Sequence, residues 1–176
     1  GTIEAGLITL QNGKLNTAFV ANNISLGTLS DALDGVGNGK AQLVADLTRP
    51  NLKNIQAQGE LSLSEGVSLI DSPLQSRWAW NGKQLQIQEA IAQGFRADGV
   101  LDINSDRLGK NPVQAIAKLA LNLDVQNIDL ADLPLPPSAQ ALALAGQGDF
   151  QGTVMGTLQQ PTINGNVTLS NAKIAD

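Results

Sequence analysis

Residues suited to chemistry are scarce in this chain. It has no His and no Cys, which removes imidazole and thiolate nucleophiles, the usual zinc ligands and the favoured general base at neutral pH. Its 16 carboxylates are scattered, and no spacing sets two of them at the separation that glycoside hydrolysis requires. Asp102-Ile103-Asn104-Ser105-Asp106 carries oxygen donors at alternate positions, as a calcium loop does. Arg107 stands where such a loop needs Gly, however, and Val113 where it needs the closing Glu. Gly148, Gly152 and Gly156 have the spacing of a membrane helix-pairing motif, but Asp149 and Gln151 interrupt the apolar stretch which that motif requires. These glycines read better as strand glycines. The expectation is a protein that is not an enzyme, with no cofactor and no metal.

Nucleic acid is an equally poor partner. Sixteen acidic residues face 11 basic ones for a net charge of −5, which leaves no electrostatic footprint for a phosphate backbone. Aromatic residues make up only 3% of the chain, so stacking platforms for bases are few. The 42% hydrophobic content is therefore carried by Leu, Ile, Val and Ala, and it is their arrangement that must hold the function.

That arrangement is strict alternation. Ile55, Ala57, Gly59, Leu61 and Leu63 interleave with Gln56, Gln58, Glu60, Ser62 and Ser64, as a half-buried strand requires. The same period runs through Leu15-Thr17-Phe19-Ala21, Ala41-Leu43-Ala45-Leu47, Leu74-Ser76-Trp78-Trp80, Leu85-Ile87, Phe95-Ala97-Gly99-Leu101-Ile103 and Ala115-Ala117-Leu119-Leu121-Leu123-Val125. It returns at Phe150-Gly152-Val154-Gly156 and Val167-Leu169. Asn12-Gly13 and Asn81-Gly82 are each suited to a tight hairpin, which makes neighbouring strands antiparallel. Asn104 to Pro112 reads as a longer loop. Three prolines between Leu133 and Ser138 break the ladder before an Ala-rich stretch, Ala139 to Ala145, that can form a short helix capped by Ser138. Leu26 to Asp34 suits either a short helix or a strand.

The expected fold is all-β: a curved, mostly antiparallel sheet forming an open, taco-like or half-pipe groove with an apolar interior and one or two short helices. Glycines that share parity with the apolar residues allow the curvature. The expected lining is Phe19, Leu43, Leu47, Leu61, Leu63, Trp78, Trp80, Leu85, Ile87, Phe95, Leu101, Ile103, Leu119, Leu121, Leu123, Val125, Phe150, Val154, Val167 and Leu169. Ordinary core packing is the competing reading for Trp78, Trp80 and the three phenylalanines.

The chain also repeats itself. Asn23-Ile24-Ser25-Leu26 returns as Asn127-Ile128-Asp129-Leu130, Gly37 to Pro50 parallels Gly148 to Pro161, and Gly59 to Ser64 parallels Gly165 to Ser170. The repeat covers approximately residues 23–69 and 127–174. Self-similarity of this kind suits an elongated, extensible sheet, with two halves of a closed duplicated barrel as the alternative. A chain that opens on Gly1-Thr2 and stops at Ile174-Ala175-Asp176 in a strand-like pattern is expected to be a single β-rich domain, 1–176, from a longer protein. No run reaches the 18 or so apolar residues of a membrane helix, so any anchor is expected outside this segment.

The repeat residues carry a resemblance. Gly148-Asp149-Phe150-Gln151-Gly152, then Gly156-Thr157-Leu158, then Pro161-Thr162-Ile163-Asn164-Gly165-Asn166-Val167-Thr168-Leu169 is similar to the recurring pattern of the AsmA-like family, in particular its TamB-type C-terminal domains. Ile128-Asp129-Leu130-Ala131-Asp132-Leu133-Pro134-Leu135-Pro136 also resembles that family. The first copy departs from it, with Ala45-Asp46-Leu47 in place of Gly-Thr-Leu. The resemblance implies a periplasmic protein of a translocation and assembly module, held in the inner membrane by an N-terminal helix and working with a TamA-like outer-membrane barrel. It implies a hydrophobic β-groove whose cargo is phospholipid acyl chains or, alternatively, unfolded outer-membrane β-strands.

Overall fold

The computed structural model describes residues 1–25, 35–49, 51–65, 72–107, 112–129, 131 and 143–175. Eleven strands appear among them: β1 (Thr2–Ala5), β2 (Thr9–Gln11), β3 (Lys14–Ser25), β4 (Val36–Asp46), β5 (Ile55–Leu63), β6 (Leu74–Trp80), β7 (Gln84–Ala92), β8 (Phe95–Ile103), β9 (Ile116–Asp129), β10 (Ala143–Gly156) and β11 (Pro161–Ala175). All belong to one antiparallel sheet in the order β1-β3-β4-β5-β6-β7-β8-β9-β10-β11, with β2 also paired to β3. The two ends of this order do not pair with each other, so the sheet is open. The closed-barrel alternative is thereby corrected.

Register follows from the alternation. Ala5, Phe19, Ala41, Gly59, Trp78, Ile87, Gly99, Leu121, Val154 and Ile163 stand opposite one another in a single row that crosses ten strands. A parallel row joins Thr17, Leu43, Ala57, Trp80, Leu85, Leu101, Leu119 and Gly156. The opposite face carries Lys40, Glu60, Arg77 and Glu89 as cross-strand neighbours. A slip of one residue would move these charges onto the apolar face, and that penalty holds the pairing in place.

Inward glycines bring neighbouring strands into close approach. A Cβ at Gly59 would lie 2.3 Å from the Lys40 carbonyl oxygen, and one at Gly99, whose φ is +144°, would lie 2.1 Å from that of Ala120. No other residue type fits either position without moving the adjacent backbone. The sheet therefore bends where its apolar side has least bulk.

β-Bulges change the phase of several strands. Asn22 and Asn23 together oppose Asn38, and Asn23 adopts φ +52° with its N–H donating to Asn38 Oδ1 at 2.9 Å. Gln126 and Asn127 oppose Asp149 in the same way, with Asn127 at φ +57° donating to Asp149 Oδ1 at 2.9 Å. Asn tolerates this left-handed conformation better than other residues with a Cβ. A further bulge in β7 sets Gln88 and Glu89 against Asp98.

Several local expectations change. Asn12 (φ +51°) and Gly13 (φ +74°) make the two-residue hairpin between β2 and β3. Asn81-Gly82 instead starts a wider loop, in which Asn81 Oδ1 accepts from the N–H groups of Lys83 and Gln84. The loop expected over Asn104–Pro112 is followed by a helical turn, α1 (Pro112–Ala115), and a 3-10 turn spans Leu52–Asn54; neither position was expected to be helical. Ala143 to Ala145 lie in β10 rather than in a helix, because β11 supplies their backbone partners. The rest of that Ala-rich stretch and Leu26 to Asp34 lie outside the described residues.

Candidate functional site

The apolar face is the site. Its side chains are mostly half-buried, whereas those of the opposite face are mostly exposed. No large side chain among the described residues is wholly buried. A small cluster forms where β5 to β9 bend together: Leu63, Leu74, Ala90 and Ala97 are buried, with Ile87, Ala92, Phe95 and Leu123 packed against them. Toward β11 the face opens, and Ile163, Val167 and Leu169 are 61%, 63% and 55% exposed. Along β5 the contrast is sharp, since Leu63 is 5% and Leu61 37% exposed.

Of the expected lining, Phe19, Leu43, Leu61, Leu63, Trp78, Trp80, Leu85, Ile87, Phe95, Leu101, Leu119, Leu121, Leu123, Val125, Phe150, Val154 and Val167 stand on this one face through their cross-strand pairs. Leu169 joins them opposite Gly148, and Ile103 opposite Ile116. Leu47 does not. β4 ends at Asp46, whose carboxylate accepts from the Oγ1 hydroxyl and the N–H of Thr48, and this turn leaves Leu47 46% exposed beyond the sheet. The same two hydrogen bonds hold the Asp46 carboxyl below its ordinary pKa.

The bulges explain what alternation alone misplaces. Ala117 was expected inward, yet the step between the Asp102–Lys118 and Ile103–Ile116 pairs turns Ile116 to the apolar face and leaves Ala117 exposed. In β7 the bulge carries Ala90 and Ala92 inward and Ile91 outward, where it is 42% exposed. The signal for this was present: Glu89 falls on the parity of Leu85 and Ile87, a place where a carboxylate would carry a desolvation cost.

Rotated to the hydrophilic face, Glu89 becomes the centre of a charge ladder. It pairs with Arg77 at 2.7 Å and Arg96 at 2.8 Å, and Lys40 pairs with Glu60 at 2.9 Å. A depression of about 550 Å³ lies over this ladder, lined among others by Val20, Lys40, Glu60, Arg77 and Glu89. Its cations and anions satisfy one another and leave no uncompensated charge for a ligand.

The Asp102–Asp106 segment does not gather ligands. Asp102 accepts from Gln84 Nε2 at 2.8 Å, and Asn104 Oδ1 accepts from the Asp106 N–H at 3.1 Å. Among the described residues no group of three or more acidic side chains is placed to hold a metal ion, and no helix is long and apolar enough to cross a membrane. What the arrangement offers is a continuous aliphatic surface with Trp78 and Trp80 near its middle and every ion pair on its reverse. Compared with protein-family models, curated proteins and solved structures, the chain matches none.

Proposed function

We propose that this sheet is a lipid-shielding groove segment of an AsmA-like protein of the TamB type, and that acyl chains lie against its apolar face. Leaving a lipid tail in water costs about 0.8 kcal/mol per methylene, hence on the order of 12 kcal/mol for some fifteen methylenes. A sheet that lines the path every ~4.8 Å with another strand offers burial without a deep single minimum, so that cargo slides instead of lodging. The observation that carries this reading is the apolar row crossing ten strands of an unclosed sheet, with all four ion pairs kept off it. In the full setting the segment works in the periplasm, as part of a protein anchored in the inner membrane that conducts phospholipid between the two membranes beside a TamA-like barrel.

A photo-crosslinking residue placed at Leu121, on the apolar face, and at Ala120, on the reverse, tests the proposal in cells. Phospholipid adducts at position 121 and none at 120 are expected, and Leu121→Arg is expected to abolish lipid capture while the chain stays folded. Recovery of polypeptide instead of lipid at position 121 selects the alternative, in which the face assists assembly of outer-membrane β-strands. No adduct of either kind from a folded protein makes the sheet a spacer.

A further inference from the structure

The two copies of the internal repeat differ in one respect: the first is completed by a strand that the second lacks. In β4 and β5 the pairs are Leu43–Ala57, Ala41–Gly59, Gly39–Leu61 and Gly37–Leu63. In β10 and β11 they are Val154–Ile163, Gly152–Gly165, Phe150–Val167 and Gly148–Leu169, the same register at corresponding positions. The outer edge of β5 is covered by β6, with Trp80 opposite Ala57, Trp78 opposite Gly59, Ser76 opposite Leu61 and Leu74 opposite Leu63. The outer edge of β11 pairs with no strand among the described residues.

This edge is also undefended. Strands at sheet edges are usually blunted by short length, charge or proline, because their free N–H and C=O groups template further pairing. β11 is 15 residues long and carries no charge between Pro161 and Ala172, although every strand from β3 to β10 carries at least one. Where β5 has Glu60 paired to Lys40, β11 has Asn166 opposite Gln151. Proline appears only as its first residue, where it interrupts no ladder.

The geometry points to β11 as an acceptor edge for one further antiparallel strand of β6 type, supplied by another polypeptide. The equivalence with β5 specifies its chemistry: alternating apolar and polar residues, a bulky side chain opposite Gly165, a small one opposite Val167 and an aliphatic one opposite Leu169. The Phe150 ring already reaches over Gly152 and Gly165, so the bulky residue meets an aromatic surface. A second copy of this chain does not fit. Its own β6 is held between β5 and β7, and its β1 edge is only four residues long. The inference concerns backbone pairing at an edge and stands whether or not lipid occupies the apolar face.

The probe is a synthetic peptide of residues 73–82, the chain's own β6 with its flanks, added to the whole protein while amide exchange is followed by mass spectrometry. At ten times its dissociation constant the peptide is expected to slow exchange of amides in Thr162–Ser170 by about tenfold. The same peptide N-methylated on alternate residues is expected to give no protection, and its Trp78→Ala form to bind more weakly. Three results overturn the proposal: no added protection in β11 at the solubility limit of the peptide, protection that N-methylation leaves intact, or β11 amides already protected in the protein alone with a dimer that grows with concentration.

Discussion

Leu61 and Leu63 lie two residues apart on one strand and one face, but only Leu63 sits within the buried cluster. Truncating each to Ala therefore measures how far the apolar face is filled by its own side chains. For Leu63→Ala, at 5% exposure and packed with Leu74, Ala90 and Ala97, loss of burial plus the cavity left behind is expected to cost about 3 kcal/mol. Leu61 is 37% exposed and has no closed shell around it to leave a cavity, so Leu61→Ala is expected to cost about 1 kcal/mol, mostly lost transfer energy. Urea unfolding followed through Trp78 and Trp80, the only two tryptophans, reads both, as shifts in midpoint at constant slope. At a slope of about 2 kcal/mol per molar these are shifts of roughly 1.5 M and 0.5 M. Equal costs near 3 kcal/mol would show that Leu61 is as enclosed as Leu63. That result would refute the open-face reasoning, because a face filled along β5 has no room for a guest.

Glu89→Gln removes the charge shared by Arg77 and Arg96 and is expected to destabilise the protein by about 1 kcal/mol, a modest figure because both arginines are well exposed; thermal unfolding at low and high salt checks it, with the difference from wild type shrinking as salt rises. Asn127→Ala places a residue with poor tolerance for φ +57° at a bulge and removes none of the Asp149 contact, which uses the backbone N–H. A loss of about 1 kcal/mol is expected, and Asn127→Gly is expected to be neutral or better, as judged by melting temperature. The Asp46 carboxyl, held down by Thr48, stabilises the fold at pH above its unfolded value of about 3.9 and loses that contribution as pH falls through its lower folded pKa. Carbon-detected NMR titration is expected to show the Asp46 pKa rising in Thr48→Ala, and Asp46→Asn is expected to flatten the acid limb of stability in that window.

Strand identity, antiparallel order and the division of residues between the two faces were legible from the order of residue types. Side chains alternate with a period of two, and residues such as Gln56, Gln58, Glu60 and Ser62 leave only one arrangement that avoids burying polar groups. What alternation cannot carry is its own interruption. The bulges at Asn22-Asn23, Gln88-Glu89 and Gln126-Asn127 each insert one residue, and every side chain beyond them changes face until another shift intervenes. Ile91 turned outward and Ile116 inward for this reason, and Leu47 left the sheet because the Asp46–Thr48 turn ended its strand. Closure was likewise beyond a local pattern: the same alternation lines a barrel or an open sheet. The choice depends on whether the first and last strands meet, a relation between residues some 160 positions apart that only the accumulated twist, bend and register of the intervening ladders can set.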